Sequence, residues 1–217
     1  MISDEQLIAR LTRPDRVAPH TIEPGEALAV RLLVLVTAPL WASVFGAALL
    51  GRLVRGKRPL LVFHERVGYQ RTPLWVPKIA TAAIAANKRH YGGFIEVATG
   101  PPSPVRSDGN LEQWLRYSGI DELPQLALVL RGKMRIVGPR PVTPGELVEM
   151  ADETGAVAVD VLHPGLVGLW QVLDRHRYEL DERGALDRLM VANWSRSLQR
   201  QIITIALSQA RDRLRKK

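Results

Sequence analysis

Asp121 and Glu122 are adjacent carboxylates in the run Ile120-Asp121-Glu122-Leu123-Pro124-Gln125-Leu126, with the apolar stretch Leu126–Leu130 behind them. If that stretch is a helix, the acids stand at its head. A helix start presents unpaired N–H groups and a partial positive charge, which hold a carboxylate ionised at neutral pH and welcome a phosphate beside it. The chemistry this suggests is phosphoryl transfer. A plainer reading uses the same residues: Ser118 and Asp121, three apart, resemble an Asp variant of the capping box, and acids in a first turn are common on structural grounds. Earlier in the chain, the segment Leu111–Tyr117 has the pattern of a helix that ends at Gly119 and delivers Arg116 directly behind the acidic pair.

Composition narrows the partners. The 217 residues include 30 basic and 22 acidic side chains, for a formal charge of +8. That excess points to a polyanion: nucleic acid, an anionic membrane face or a phosphorylated substrate. Nucleic acid is the weakest of the three, because the chain shows no helix-turn-helix, zinc-finger or RNP pattern. The absence of cysteine excludes disulfides, thiolate-bound zinc, iron–sulfur clusters and thiol catalysis, and the five histidines show no metal-ligand spacing.

Residues 1–26 read as a soluble leader, with Leu7, Ile8 and Leu11 on one face of a helix that Pro14 ends; acids at Asp4 and Glu5 argue against a secretory signal. Residues 27–58 read as a membrane segment with a basic flank. Leu32–Leu50 is a run of about 19 uncharged residues, close to the ~20 that cross a bilayer. Pro39 near its middle predicts a bend. Arginines on the amino side and Arg52, Arg55, Lys57 and Arg58 on the other pull both ends toward the cytoplasm, so a kinked helix that enters one leaflet and returns satisfies both pulls. A tilted single span is the alternative.

Residues 59–217 read as the soluble domain. Pro59–Phe63 is a predicted strand followed by a turn at His64–Gly68, Leu74–Ile79 a second strand carrying Lys78, and Thr81–Asn87 a helical turn; Gly92–Asp108 reads as an irregular loop. Leu198, Ile202, Ile205, Ala206 and Ala210 recur at helical spacing before a cationic tail, which suits an amphipathic helix on anionic lipid or a helix packed on the domain. The fold class is therefore α/β: a mostly helical compact domain with a few short strands, preceded by a Pro-kinked re-entrant membrane helix and ending in an amphipathic surface helix.

Three motifs carry a resemblance. Leu115-Arg116-Tyr117-Ser118-Gly119-Ile120-Asp121-Glu122-Leu123-Pro124-Gln125-Leu126, then Val137-Gly138-Pro139-Arg140-Pro141, then Pro164–Val172 resemble, in order and behind a proline-kinked apolar segment, the bacterial sugar transferase family of small monotopic phosphoglycosyl transferases. The resemblance implies transfer of a hexose-1-phosphate from a UDP-sugar to polyprenyl phosphate, with Asp121 as nucleophile and Glu122 assisting or holding Mg²⁺ with it. It also implies the inner membrane as lipid partner, a domain facing the cytoplasm, no nucleic-acid partner, and an oligomeric state open between monomer and homodimer. Arg116, Arg140, Lys78 and Arg175 are the expected phosphate-binding cations, since a guanidinium fork meets phosphate oxygens in a bidentate way. Gly165, Gly168 and Gln171 belong to a loop expected to approach sugar or phosphate. Trp170 is open between stacking on substrate and anchoring the core, and His163 reads as structural.

Departures from the pattern matter as much. The family's Lys-Phe-Arg strand appears as Lys78-Ile79-Ala80, its Gly-Asp-Met-Ser as Gly132-Lys133-Met134-Arg135, its acid after Arg31 as Val34, and its glycine before the arginine turn as Glu112. These losses leave a second reading open, a catalytically impaired relative serving as a membrane-bound partner protein.

Overall fold

The computed structural model describes residues 24–57, 59–81, 87–91, 95–99, 110–173 and 178–215. The leader helix, Arg58, Arg175 and the alanine-rich stretch 82–86 lie outside them. The chain divides into two compact units, one formed by Pro24–Arg66 and Pro73–Gly132, the other by Val67–Thr72 and Lys133–Arg211.

In the first unit, α1 (Pro24–Val36) and α2 (Ala38–Val54) meet at Thr37 with a bend of 56°. Proline is the cause: Pro39 has no N–H to return to the α1 end, and its ring excludes straight continuation. Two carbonyls in the last turn of α1 also take side-chain donors at the bend. Thr37 Oγ1 donates to Leu33 O at 2.8 Å, and the Trp41 indole donates to Val34 O at 3.0 Å. No single helix among the described residues is long and apolar enough to cross a bilayer, whereas this bent pair has the necessary length and composition. Leu28, Leu32, Leu33, Leu35, Leu40 and Leu50 are exposed along it.

The first unit continues with β1 (Leu61–Val67), β2 (Pro73–Ile79), β3 (Asn87–Tyr91) and β4 (Ile95–Thr99), ordered β2-β1-β4-β3 in one sheet. β1 and β4 run parallel with Leu61 opposite Ile95, while β3 and β4 form an antiparallel pair. Two expectations are corrected. The His64–Gly68 turn is strand as far as Val67, and part of the presumed loop after Gly92 is β4, whose partner β1 lies some thirty residues away and leaves no local signal. The strand around Lys78 and the helix α3 (Asn110–Ser118) form where the sequence placed them. Gly119 then takes φ 77°, a value that suits glycine, and turns the chain into a 3₁₀ segment, Ile120–Gln125, that runs into α4 (Leu126–Leu130).

The second unit holds β5 (Arg135–Val137) parallel to β6 (Gly165–Val167), then α5 (Pro144–Met150), α6 (Leu169–Val172), α7 (Leu180–Ala192) and α8 (Arg196–Arg215). α5 begins at a complete capping box: Glu146 N donates to Thr143 Oγ1 and Thr143 N to the Glu146 carboxylate, with Pro144 at the first helical position. Leu169, Met190, Leu198 and Ile202 form the core of this unit. The apolar stripe of α8 is thus largely spent inside the protein: Leu198 and Ile202 are buried, with Ile205 and Ala206 packed around them, while Leu207 stays exposed. The described contacts show packing on the domain, one of two roles its spacing allowed and one that does not exclude the other.

Truncating Ile202 to alanine should cost about 2–5 kcal/mol through lost burial and a residual cavity. The same truncation at Leu207, which is 66% exposed, should stay within about 0.5 kcal/mol. Urea unfolding of both variants reads the difference, and equal losses would refute this packing of α8.

Candidate active site

The turn Ile120–Gln125 hangs between α3 and α4 and packs against β2, so that residues distant in sequence converge on the acidic pair. The side chain of Lys78 on β2 forms an ion pair and hydrogen bond with the Glu122 carboxylate. Arg116, in the last turn of α3, is exposed and acts on Asp121 through its charge. Asp121 itself is only 7% exposed. The expected helix-head geometry is therefore modified: the carboxylates sit in a 3₁₀ turn behind a left-handed glycine. Ser118 does not close a capping box with Asp121; its hydroxyl donates to Leu115 O at 3.0 Å.

Electrostatics follow burial rather than helix charge. The Asp121 carboxyl is pushed up to about 6, above all by desolvation. Lys78 pulls it back down, the neighbouring Glu122 raises it further, and Arg116 and its own backbone N–H lower it. At neutral pH it is still mainly a carboxylate, but a poorly solvated one that gains by bonding to an electrophile.

The second unit carries Arg140, Gly165, Gly168 and Gln171. Arg140 sits between Pro139 and Pro141, and its backbone N–H donates to Asp187 Oδ2 at 3.3 Å. Its guanidinium lies 5.7 Å from the centroid of the Trp170 ring, and that of Arg183 lies 5.0 Å from it. Trp170 is buried in the core, so anchoring is its structural role, with two cations over its ring. Gly165 is small for a reason internal to the fold: a Cβ there would collide with the Gly138 backbone, to which β6 is joined by Gly138 N→Val167 O at 3.0 Å. Gly168 likewise faces Gly138 O, and its N–H is taken by Gln171 Oε1 at 2.7 Å. His163 stacks on Tyr69 with centroids 4.2 Å apart.

Asp187 was not singled out by its spacing, although it lies on the apolar side of α7 with Leu186, Met190 and Val191. It is 2% exposed, and desolvation pushes it up to about 7, opposed by the Arg140 N–H, the Trp170 indole and the Arg140 and Arg188 charges. Asp187 Oδ1 and Trp170 Nε1 are both buried without a well-formed hydrogen bond, so the indole favours the carboxylate only electrostatically. A small cavity beside Asp187 is lined by Pro139, Arg140 and Gly184.

The departures also find places. Ala80 is buried against Val62, and Val34 is buried, so both positions now serve packing. Arg135, the residue at the end of the altered Gly132–Arg135 run, lies 4.9 Å from the Trp194 ring centroid and is engaged there as a cation over the ring.

Residues 26–211 match the family described as bacterial sugar transferase. The chain belongs to that family. Among curated bacterial sugar transferase relatives, the exopolysaccharide production protein ExoY of Rhizobium meliloti is 47% identical over 81 residues, covering 37% of this chain and 35% of that protein. The undecaprenyl-phosphate galactose phosphotransferase of Salmonella typhimurium is 40% identical over 83 residues, 38% of this chain and 17% of that protein. The undecaprenyl-phosphate glucose phosphotransferase of Komagataeibacter xylinus is 39% identical over 108 residues, 45% and 20% of the two chains. The matched stretches thus span about a third of the first relative's length and about a fifth of each of the other two.

The raised Asp121 value has a thermodynamic sign. A carboxyl whose folded pKa exceeds its unfolded value, here about 6 against 3.8, holds its proton more tightly when folded, so stability falls as pH rises between the two values. Asp121→Asn should match the parent in stability below about pH 4 and exceed it above about pH 6, by up to about 3 kcal/mol. Urea midpoints at acid and alkaline pH measure this; a pH-independent gap would assign it to another cause.

Proposed function

We propose that this protein transfers a sugar-1-phosphate from a UDP-sugar to polyprenyl phosphate at the cytoplasmic face of a bacterial membrane, with the bent α1–α2 pair entering one leaflet and returning. The observation that carries this reading is the buried Asp121 carboxylate beside Glu122, Lys78 and Arg116 in the unit that also bears the exposed apolar bend. In the first step a carboxylate oxygen of Asp121 attacks the β-phosphorus; the bond from that phosphorus to the bridging oxygen breaks, and UMP leaves with the electron pair. In the second, an oxygen of the lipid phosphate attacks the same phosphorus and the aspartyl–phosphorus bond breaks. The products are a polyprenyl diphosphate sugar and the regenerated carboxylate. The relatives named as undecaprenyl-phosphate galactose and glucose phosphotransferases support this substrate class.

In this reading Lys78 and Arg116 offset the repulsion between carboxylate and diphosphate, and Glu122 assists the incoming lipid phosphate. Among the described residues no group of three or more His, Cys, Asp or Glu could hold a metal. Two adjacent carboxylates alone fit Mg²⁺, which keeps much of its shell as water and substrate phosphate. Asp121 and Glu122 would hold it, and it would supply charge neutralisation at the diphosphate.

Incubating the full chain with Mg²⁺ and a panel of UDP-sugars, without lipid acceptor, should add one sugar phosphate to Asp121 by intact mass and release a matching amount of UMP; Asp121→Asn should do neither. No adduct and no UMP from any donor would favour the impaired-relative reading, for which Ala80 and the engaged Arg135 are the supporting observations. Where the adduct forms, its rate should fall about tenfold per pH unit below about pH 6, the value to which burial pushes Asp121. A break near pH 4 would mean a solvated nucleophile.

A further inference from the structure

Arg52 and Glu112 were unremarkable in the sequence, the first as one of several flanking bases and the second as a departure from a glycine. The structure corrects the first assignment. Arg52 ends α2, where a membrane helix would ordinarily send an arginine out to the headgroups, yet both it and Glu112 are only 2% exposed. Arg52 Nη1 donates to Glu112 Oε1 at 3.0 Å and Nη2 to the Pro59 carbonyl at 3.0 Å. One guanidinium thereby joins the end of α2, the approach to β1 and the first turn of α3.

The surrounding contacts make this a seam rather than an isolated pair. Ala48, Gly51 and Arg52 recur at helical spacing on α2 and face Leu111, Glu112 and Leu115 on α3. A Cβ on Gly51 would stand 3.5 Å from Leu111 Cδ2, and Ala48 and Leu115 share a buried cluster with Ile79. The other side of α2 is apolar and exposed at Leu50, Leu53 and Val54. One face of α2 is thus fitted to lipid, and the opposite face is fitted to the helix that carries Arg116 in its last turn and leads through Gly119 to Asp121.

We propose that Arg52 and Glu112 are positioning residues that fix the height of Asp121 over the bilayer, and so govern transfer to the lipid phosphate more than attack on the nucleotide sugar. The inference rests on the function proposed above. Apolar packing between helices tolerates sliding and rotation, whereas a buried ion pair with a shared carbonyl has one geometry that satisfies its partners, and displacement strands a charge away from water. A soluble donor reaches Asp121 at any height. A lipid phosphate is confined to the headgroup plane, and a slip of one residue along α2 is about 1.5 Å, enough to misalign an in-line attack.

The test uses the full chain in nanodiscs with UDP-galactose or UDP-glucose, reading UMP release in a single turnover without acceptor and lipid product after adding undecaprenyl phosphate. The pair is replaced on both sides, Arg52→Met with Glu112→Met, so that no buried charge is left alone. The expected result is UMP release within about threefold of the parent and lipid product at least about tenfold slower, with the deficit narrowing in detergent micelles, where no bilayer plane sets the height. If the double variant does not fold, Glu112→Gln keeps the shape of the contact, and the same ratio between the two steps decides, with a smaller separation expected. Equal loss of both steps, or lipid transfer keeping pace with UMP release, overturns the proposal. A parent protein that forms no adduct sinks the underlying function instead.

Discussion

Two neighbouring carboxylates repel, and the Lys78 ammonium that β2 brings to Glu122 is what lets the pair share one tight turn. With Glu122 paired, the turn can fold back against the strand and carry Asp121 out of water, and desolvation then pushes Asp121 up to about 6. The two acids therefore differ although they are adjacent in sequence: one is tied to a cation, the other is buried and in want of a partner. The nucleophilic role proposed for Asp121 draws on that second condition, because a fully hydrated carboxylate is a poor nucleophile. The sheet matters chiefly because its edge strand delivers the lysine, and Gly119 matters because only a left-handed residue sends the chain from α3 into the turn at that angle.

Much of this was legible from local pattern. Periodicity placed α3, β2 and α8, the proline announced the bend between α1 and α2, and the acidic pair was recognisable by type and spacing. What local pattern could not contain was tertiary burial. First-turn acids ordinarily sit low on the pKa scale, and that rule was overridden at Asp121 by burial, which outweighs the lowering pull of Lys78 from a strand some forty residues earlier in the chain. β4 was missed for a related reason: Ile95-Glu96-Val97-Ala98-Thr99 is a short run set among glycines and prolines, and only pairing with β1 and β3 makes it a strand. The glycines at 165 and 168 were visible, but not what approaches them, which is the Gly138 backbone.

The departures from the family pattern separate by environment. Where a charge has been lost, at Ala80 and Val34, the replacement is buried and apolar, and a charge there without a partner would carry a large desolvation cost. Where charge has been reversed, at Lys133, the side chain is exposed and the change is inexpensive. Where charge has been gained in the interior, at Glu112, an opposite charge meets it in Arg52. Residue types that look like scattered losses in the sequence follow, at these sites, one rule: apolar where buried, charged where exposed or paired.

Asp187 tests that rule, because it is buried and acidic, and the bond it accepts comes from the Arg140 backbone N–H. Its burial raises it to about 7, so near neutrality it exists as acid and carboxylate in comparable amounts. The acid form relieves the desolvation; the carboxylate form strengthens the bond it accepts from the Arg140 backbone and the attraction of the Trp170 indole. Either form keeps an oxygen on the turn between Pro139 and Pro141, and Trp170 meanwhile offers its ring to two guanidiniums. The turn is held through its backbone while the Arg140 side chain rests against a π face, and a cation held that way is more easily lent to an anion than one locked in a salt bridge.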